Sequence, residues 1–148
     1  MNELDYYNKF PDVLKNALIN KKVRFPDTLQ KEYDDKYVFR GVKYNSKKKE
    51  INKTDFLSHI ERKDTMMGRS VDETDISSYS CSCFLNLDEL HTATKFPIKN
   101  KAVAKGLIKK DFGPININEQ TSHIDLYLFD GVDPSYNFEV VEKWEKNG

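Results

Sequence analysis

Residues 78–86, SYSCSCFLN, carry three serines and two cysteines within nine positions, so hydroxyl and thiol chemistry are both available there. Side chains alternate between the two faces of a β-strand, so a strand here separates the two residue types. Because free cysteines are among the most often buried side chains, we expect Cys81 and Cys83 to pack in the core. The opposite face then presents Ser80 and Ser82, which we expect to line a site.

A metal site at these cysteines is not expected. Zinc needs more ligands than one C-x-C pair, and the chain has no second pair of cysteines. Its three histidines, His59, His91 and His123, are scattered along the sequence. We therefore predict no metal, and structural thiols that stay reduced in a cytoplasmic setting.

An arginine lies within residues 37–43, YVFRGVK, which we predict to be a β-strand because it is rich in aromatic and β-branched residues. Alternation puts Arg40 on the same face as Val38 and Val42. Two arrangements remain open. Either Arg40 lies at an edge where its guanidinium reaches water, or it lines a cleft where its donors hold a phosphate or carboxylate.

Residues 123–129, HIDLYLF, alternate between apolar and polar side chains. His123 and Asp125 fall on the more open face of this predicted strand, either as an exposed polar row or as part of a site. Ser122, His123 and Asp125 do not form a catalytic triad, because a triad is assembled across a fold and neighbouring strand residues point apart.

Hydrophobic periodicity and turn residues predict one domain, 1–148, in which helices come first and strands later. We predict helices over 10–20, 26–33, 54–62 and 87–94, a loop over 63–77, and strands over 37–43, 78–84, 102–108, 114–118, 123–129 and 137–141. We expect Trp144 to pack the C-terminal tail onto the domain. This order favours an α+β fold with N-terminal helices packed on a mostly antiparallel sheet.

The composition argues against two classes of binding partner, nucleic acids and membranes. The 24 basic and 24 acidic residues give zero net charge, which argues against a nucleic-acid partner. No segment approaches 18 apolar residues, so we expect no membrane partner. The N-terminus lacks the basic and apolar regions of a signal peptide, so we expect a cytoplasmic protein.

The order of these motifs resembles that of ADP-ribosyltransferases of the Arg-Ser-Glu class. YVFRG is followed about forty residues later by the S-x-S of SYSCSCF, and then by a strand with acidic and polar residues. FGPININ followed by HIDLYLF and NFEVV also looks like the C-terminal layout of those enzymes. The resemblance covers about residues 37–141.

The resemblance implies an NAD-handling domain with assigned roles. Arg40 would bind the phosphates of NAD, and Ser80 and Ser82 would shape the nicotinamide pocket, with Cys81 where threonine is usual. Asp125 lies nearest the position of the catalytic glutamate, and Glu119 is an alternative just upstream. A carboxylate there would stabilise the positive charge that develops as the glycosidic bond breaks, with His123 as an acid or base.

The alternative is a small non-catalytic domain that binds a protein partner. Zero net charge and eight tyrosines suit a protein–protein surface, where tyrosine and arginine often anchor the contact. In that case the same residues serve only packing and the surface.

Overall fold

The computed structural model describes residues 2–62 and 71–143, and the chain has the predicted α+β fold. The helices are α1 (Glu3–Tyr7), α2 (Asp12–Ile19) and α3 (Leu87–Thr94). The strands are β1 (Lys36–Lys43), β2 (Cys81–Phe84), β3 (Lys101–Ile108), β4 (Ile115–Asn118), β5 (His123–Leu126) and β6 (Phe138–Lys143). No helix within the described ranges is long and apolar enough to cross a bilayer.

The six strands form one sheet in the order β4-β5-β2-β1-β3-β6, and every neighbouring pair is antiparallel. β1 and β3 pair along their whole length, from Lys36↔Ile108 to Lys43↔Lys101. In contrast, β1 and β2 share the single register pair Phe39↔Phe84. The sheet is therefore made of two three-stranded ladders, β4-β5-β2 and β1-β3-β6, joined at one point.

The two faces of the β4-β5-β2 ladder differ in chemistry. We call the face with Cys81, Cys83, Ile124 and Leu126 the thiol face, and it forms the main hydrophobic core. The opposite face of the ladder carries the side chains of β2 and β5 that alternate with these, including Ser82 and Asp125. We call it the serine face. Phe56 and Phe138 also pack in the main core, with ring centroids 4.8 Å apart.

Two smaller clusters complete the core. α2 buries Leu14, Ala17 and Leu18 in an aromatic-rich cluster that includes Phe10 and Tyr127. α3 lies over the other end of the sheet, where Leu90 packs with Phe84 and Val103.

The helix predicted over 87–94 is confirmed, and the cause is its N-cap. The Asn86 side chain accepts hydrogen bonds from the backbone N–H groups of Asp88 (2.8 Å) and Glu89 (3.2 Å). These N–H groups have no partner within the helix, so a side-chain acceptor stabilises the first turn.

The helices predicted over 26–33 and 54–62 are wrong. Gln30 forms an antiparallel bridge with Ile115, so its backbone groups serve the sheet edge instead of a helix. In the second segment only a 3-10 helix forms, Lys53–Phe56, because Leu57 adopts an extended conformation.

Other boundaries differ from the prediction. The strand predicted over 78–84 begins only at Cys81, because Ser78 and Tyr79 belong to the 3-10 helix Ile76–Tyr79, which also occupies the end of the predicted loop. The strand predicted over 123–129 ends at Leu126, and α1 was not predicted. Residues 63–70 of the predicted loop, and Trp144, lie outside the described residues.

Candidate functional site

Four of the five predicted site residues meet on the serine face, and we call them the serine cluster: Ser80, Ser82, His123 and Asp125. Ser80 Oγ lies 2.7 Å from Asp125 Oδ1. His123 Nε2 lies 3.1 Å from Ser82 Oγ, and His123 Nδ1 lies 3.9 Å from Asp125 Oδ1. One imidazole therefore stands between a hydroxyl and a carboxylate.

Strand register brings these residues together. Ser82 pairs directly with Asp125, and Phe84 pairs with His123, so their side chains share one face of the ladder. Phe84 also contacts the His123 ring edge to face, with centroids 5.1 Å apart. Ser80 precedes β2 and is only 3% exposed, whereas the side chains of His123 and Asp125 are 30% and 14% exposed. The cluster thus runs from the interior to the surface.

The Ser80 hydroxyl has two acceptors within reach. Its Oγ lies 2.8 Å from the carbonyl oxygen of Ser77 and 2.7 Å from the Asp125 carboxylate. A hydroxyl has one hydrogen, so it donates to one of these oxygens at a time. Both contacts become hydrogen bonds when Asp125 is protonated, because the acid then donates to Ser80 and Ser80 donates to Ser77.

Burial is the main reason that the pKa of Asp125 is raised above its ordinary value. The hydrogen bond with Ser80 and the neighbouring His123 lower this pKa, and the charge of Asp75 raises it further. A carboxyl group with a raised pKa can accept and return a proton nearer neutral pH, as acid–base catalysis requires.

Arg40 does not join the serine cluster. Phe39 pairs with Phe84, so Arg40 points to the opposite, thiol face, where it is only 6% exposed. Its Nε donates to the carbonyl oxygen of Asp55 at 2.8 Å, and its Nη1 donates to the carbonyl oxygen of Ser82. We predicted two possible arrangements for Arg40, and the one at a sheet edge is wrong. β1 lies between β2 and β3, so Arg40 is on an interior strand of the sheet.

Glu119, the predicted alternative to Asp125, lies exposed in the turn between β4 and β5. Ser122 lies in the same connection, where its Oγ accepts a hydrogen bond from the backbone N–H of Asn86 at 3.1 Å. Of the two candidate carboxylates, Asp125 is therefore the one beside the serines.

Two neighbours of the cluster were not predicted. Asn116 of β4 pairs with Asp125 and extends the polar row, and its Oδ1 accepts a hydrogen bond from Thr28 Oγ1 at 2.5 Å. The Tyr127 hydroxyl is fully buried and has no hydrogen-bond partner among the described residues. The alternation of HIDLYLF could have grouped Tyr127 with His123 and Asp125, but only the fold shows that its hydroxyl has no partner among the described residues.

No group of three or more His, Cys, Asp or Glu residues within 2–62 and 71–143 is arranged to hold a metal ion. In comparisons with known proteins, no family model, curated protein or solved structure matched the chain.

Proposed function

We propose that the serine cluster handles NAD by binding its nicotinamide–ribose part, with Asp125 as the carboxylate that faces the ribose. The observation that carries the proposal is the 2.7 Å contact between Ser80 Oγ and Asp125 Oδ1. The Ser80 hydroxyl, just before β2, thus lies beside a carboxylate of β5.

The chemistry of the cluster suits cleavage of an N-glycosidic bond. Positive charge develops on the ribose as the bond to nicotinamide breaks, and a nearby carboxylate stabilises that charge. Serine hydroxyls can donate to and accept from the nicotinamide amide. His123, at 3.1 Å from Ser82 Oγ, is placed to take a proton from an incoming hydroxyl.

Arg40 is a positioning residue in this proposal and does not bind phosphate. Its guanidinium holds the backbone of Ser82 from the thiol face, away from the side chains of the cluster. The pyrophosphate of NAD therefore gains no contact from Arg40. It follows that nicotinamide riboside, which lacks the pyrophosphate, should bind within a few-fold of NAD.

Calorimetric titration of the full chain with NAD and with nicotinamide riboside, both to millimolar concentration, tests the proposal. We expect both ligands to bind to the wild-type protein. We also expect Asp125→Asn to abolish the release of nicotinamide, which is measured by chromatography. The matched control is Asp27→Asn, whose side chain is 93% exposed and which should behave as wild type.

Absence of heat with both ligands, or nicotinamide release that survives Asp125→Asn, would overturn the proposal. Tight binding of NAD without binding of the riboside would instead place the recognition on the phosphates. That result would also contradict the role assigned to the serine cluster.

A further inference from the structure

Lysines gather at one end of the sheet. Residues 43–49, KYNSKKK, and residues 95–101, KFPIKNK, together hold seven lysines and no acidic residue. The strand register brings the two segments together, because Lys43 of β1 pairs with Lys101 of β3. Beyond this pair, the backbone N–H of Tyr44 donates to the carbonyl oxygen of Asn100 at 3.0 Å. We call the surface formed by these two segments the lysine end.

Both segments contain turns that are closed by their own hydrogen bonds. Asn45 and Lys48 exchange two backbone hydrogen bonds, of 2.9 and 3.2 Å. In the second segment the backbone N–H of Lys101 donates to the carbonyl oxygen of Ile98 at 3.2 Å. The exposed lysines in or beside these turns are Lys47, Lys49 and Lys99.

Carboxylates beside the lysine end neutralise it only in part. Asp55 Oδ2 lies 2.7 Å from Lys48 Nζ, and the exposed Glu50 directly follows the first segment. Among the described residues, no carboxylate forms an ion pair with any of the five exposed lysines of the two segments, Lys43, Lys47, Lys49, Lys95 and Lys99. The surface therefore keeps an excess of positive charge.

An apolar side chain projects from the middle of these charges. Ile98 is 45% exposed and lies between Lys95 and Lys99 in the sequence. The base of its loop is held in place, because the Phe96 ring stacks on the His91 ring of α3 with centroids 5.4 Å apart. An exposed apolar residue among lysines is typical of a surface that lies in the headgroup region of a bilayer.

These features suit an anionic bilayer better than a nucleic acid. Every cation of the two segments is a lysine, a compact point charge, whereas arginine is the residue best shaped to grip phosphates of nucleic acids. Single-stranded nucleic acids also need exposed aromatic rings for base stacking, and the rings here, Tyr44 and Phe96, are half-buried. Lysines near an anionic bilayer and an inserted apolar side chain both add to membrane affinity.

We propose that the lysine end docks on membranes rich in anionic phospholipid, with Ile98 inserted among the headgroups. The contact is peripheral, so the lack of a long apolar segment, from which we expected no membrane partner, does not bear on it. Zero net charge hid this surface, because it is a sum over the whole chain. Neither segment contributes a residue to the serine cluster, so this proposal does not depend on NAD binding.

The test is cosedimentation of the full chain with lipid vesicles at about 0.1 M salt. Vesicles of phosphatidylcholine alone are compared with vesicles that also contain about 30% phosphatidylserine. We expect the chain to sediment with the anionic vesicles only, and to bind them at least tenfold more weakly at about 0.5 M salt. Equal binding to both kinds of vesicle, or none to the anionic ones, would overturn the proposal without any variant. Binding of a single-stranded oligonucleotide in place of the anionic vesicles would overturn it in favour of a nucleic acid.

Two double variants locate the charged part of the contact. Lys47→Glu/Lys49→Glu should weaken binding to the anionic vesicles at least tenfold. Lys21→Glu/Lys31→Glu makes the same change in net charge at two exposed lysines outside the lysine end, so it should bind within a few-fold of wild type. Equal losses in the two double variants would mean that the contact is not at the lysine end.

A second matched pair tests the apolar part. Ile98→Ser should weaken vesicle binding severalfold, because it removes the side chain that enters the headgroup region. Ile19→Ser, at a side chain that is 43% exposed on α2, should bind as wild type does. An Ile98→Ser protein that binds as tightly as Ile19→Ser would contradict the insertion of Ile98.

Discussion

Ser80 and Asp125 are 45 positions apart in the chain, yet the hydroxyl of one lies 2.7 Å from the carboxylate of the other. The same hydroxyl lies 2.8 Å from the carbonyl oxygen of Ser77. The protonation of Asp125 therefore decides whether both contacts of the Ser80 hydroxyl are hydrogen bonds at the same time. Acid–base behaviour and local stability are linked at this point of the fold.

Asp125→Asn should change how stability depends on pH. The folded state raises the pKa of Asp125 above its ordinary 3.8, so it holds the proton more tightly than the unfolded chain does. Stability from this group is full below pH 3.8 and is lost as the pH rises through the folded pKa. Asp125→Asn should lose this fall of stability with rising pH and should be more stable than wild type at pH 7. Urea unfolding at pH 7 and below pH 3.8 measures the free energy of unfolding of both proteins.

The exposed Asp27→Asn serves as control for that measurement and should keep the wild-type pH dependence. If Asp125→Asn also keeps the wild-type pH dependence, the folded state does not raise the pKa of Asp125.

Replacing Arg40 by Met should destabilise the fold by about 2–4 kcal/mol, because two buried carbonyl oxygens lose a charged donor. Those carbonyls belong to Asp55 and Ser82. Urea denaturation gives the change in free energy of unfolding. Arg24→Met, at a side chain that is 84% exposed, is the matched control and should change little. If Arg40→Met were as stable as wild type, the guanidinium of Arg40 would not hold the Ser82 backbone as proposed.

Two Tyr→Phe substitutions should differ in effect. The Tyr33 hydroxyl lies 2.8 Å from the carbonyl oxygen of Lys109 and 2.6 Å from that of Gly113. Losing this donor should cost about 1–2 kcal/mol. The Tyr127 hydroxyl is buried without a partner, so Tyr127→Phe should be neutral or stabilising by up to about 1 kcal/mol. Thermal unfolding of both variants side by side distinguishes them, and the reverse order would contradict the hydrogen-bond assignment.

Gly113→Ala should be far more damaging than Gly131→Ala. Gly113 has φ 147°, and a Cβ there would lie 1.9 Å from the carbonyl oxygen of Tyr127, so the loop must move. We expect a loss of about 3 kcal/mol or more. Gly131 has φ 82° with no atom near a new Cβ, so only the backbone strain of about 1–2 kcal/mol applies. Equal losses of stability in urea would mean that the close approach to Tyr127 is absent.

Local rules predicted part of this molecule well. Alternation separated the serines from the cysteines of SYSCSCF, and the helix predicted over 87–94 has the bounds of α3. These features depend on residues within a few positions of each other. The helix expected over 54–62 failed because apolar spacing alone does not show that Leu57 turns the chain into an extended conformation.

The site was less accessible to sequence reasoning. Periodicity placed His123 and Asp125 on one face, but the pairing of Ser82 with Asp125 is a register between strands about forty residues apart. The direction of Arg40 was also beyond reach, because it follows from the one pair that joins β1 to β2. Long-range pairing of this kind is set by the whole fold.

Phe39↔Phe84 is the one register pair between β1 and β2 within the described residues, whereas β1 and β3 share eight. The two ladders therefore meet along a seam that has a single backbone register pair. The guanidinium of Arg40 crosses this seam from β1 to the Ser82 backbone. A ligand that shifts the Ser82 backbone would act on β1 through this hydrogen bond, so amide exchange at β1 would report on a ligand that never touches that strand.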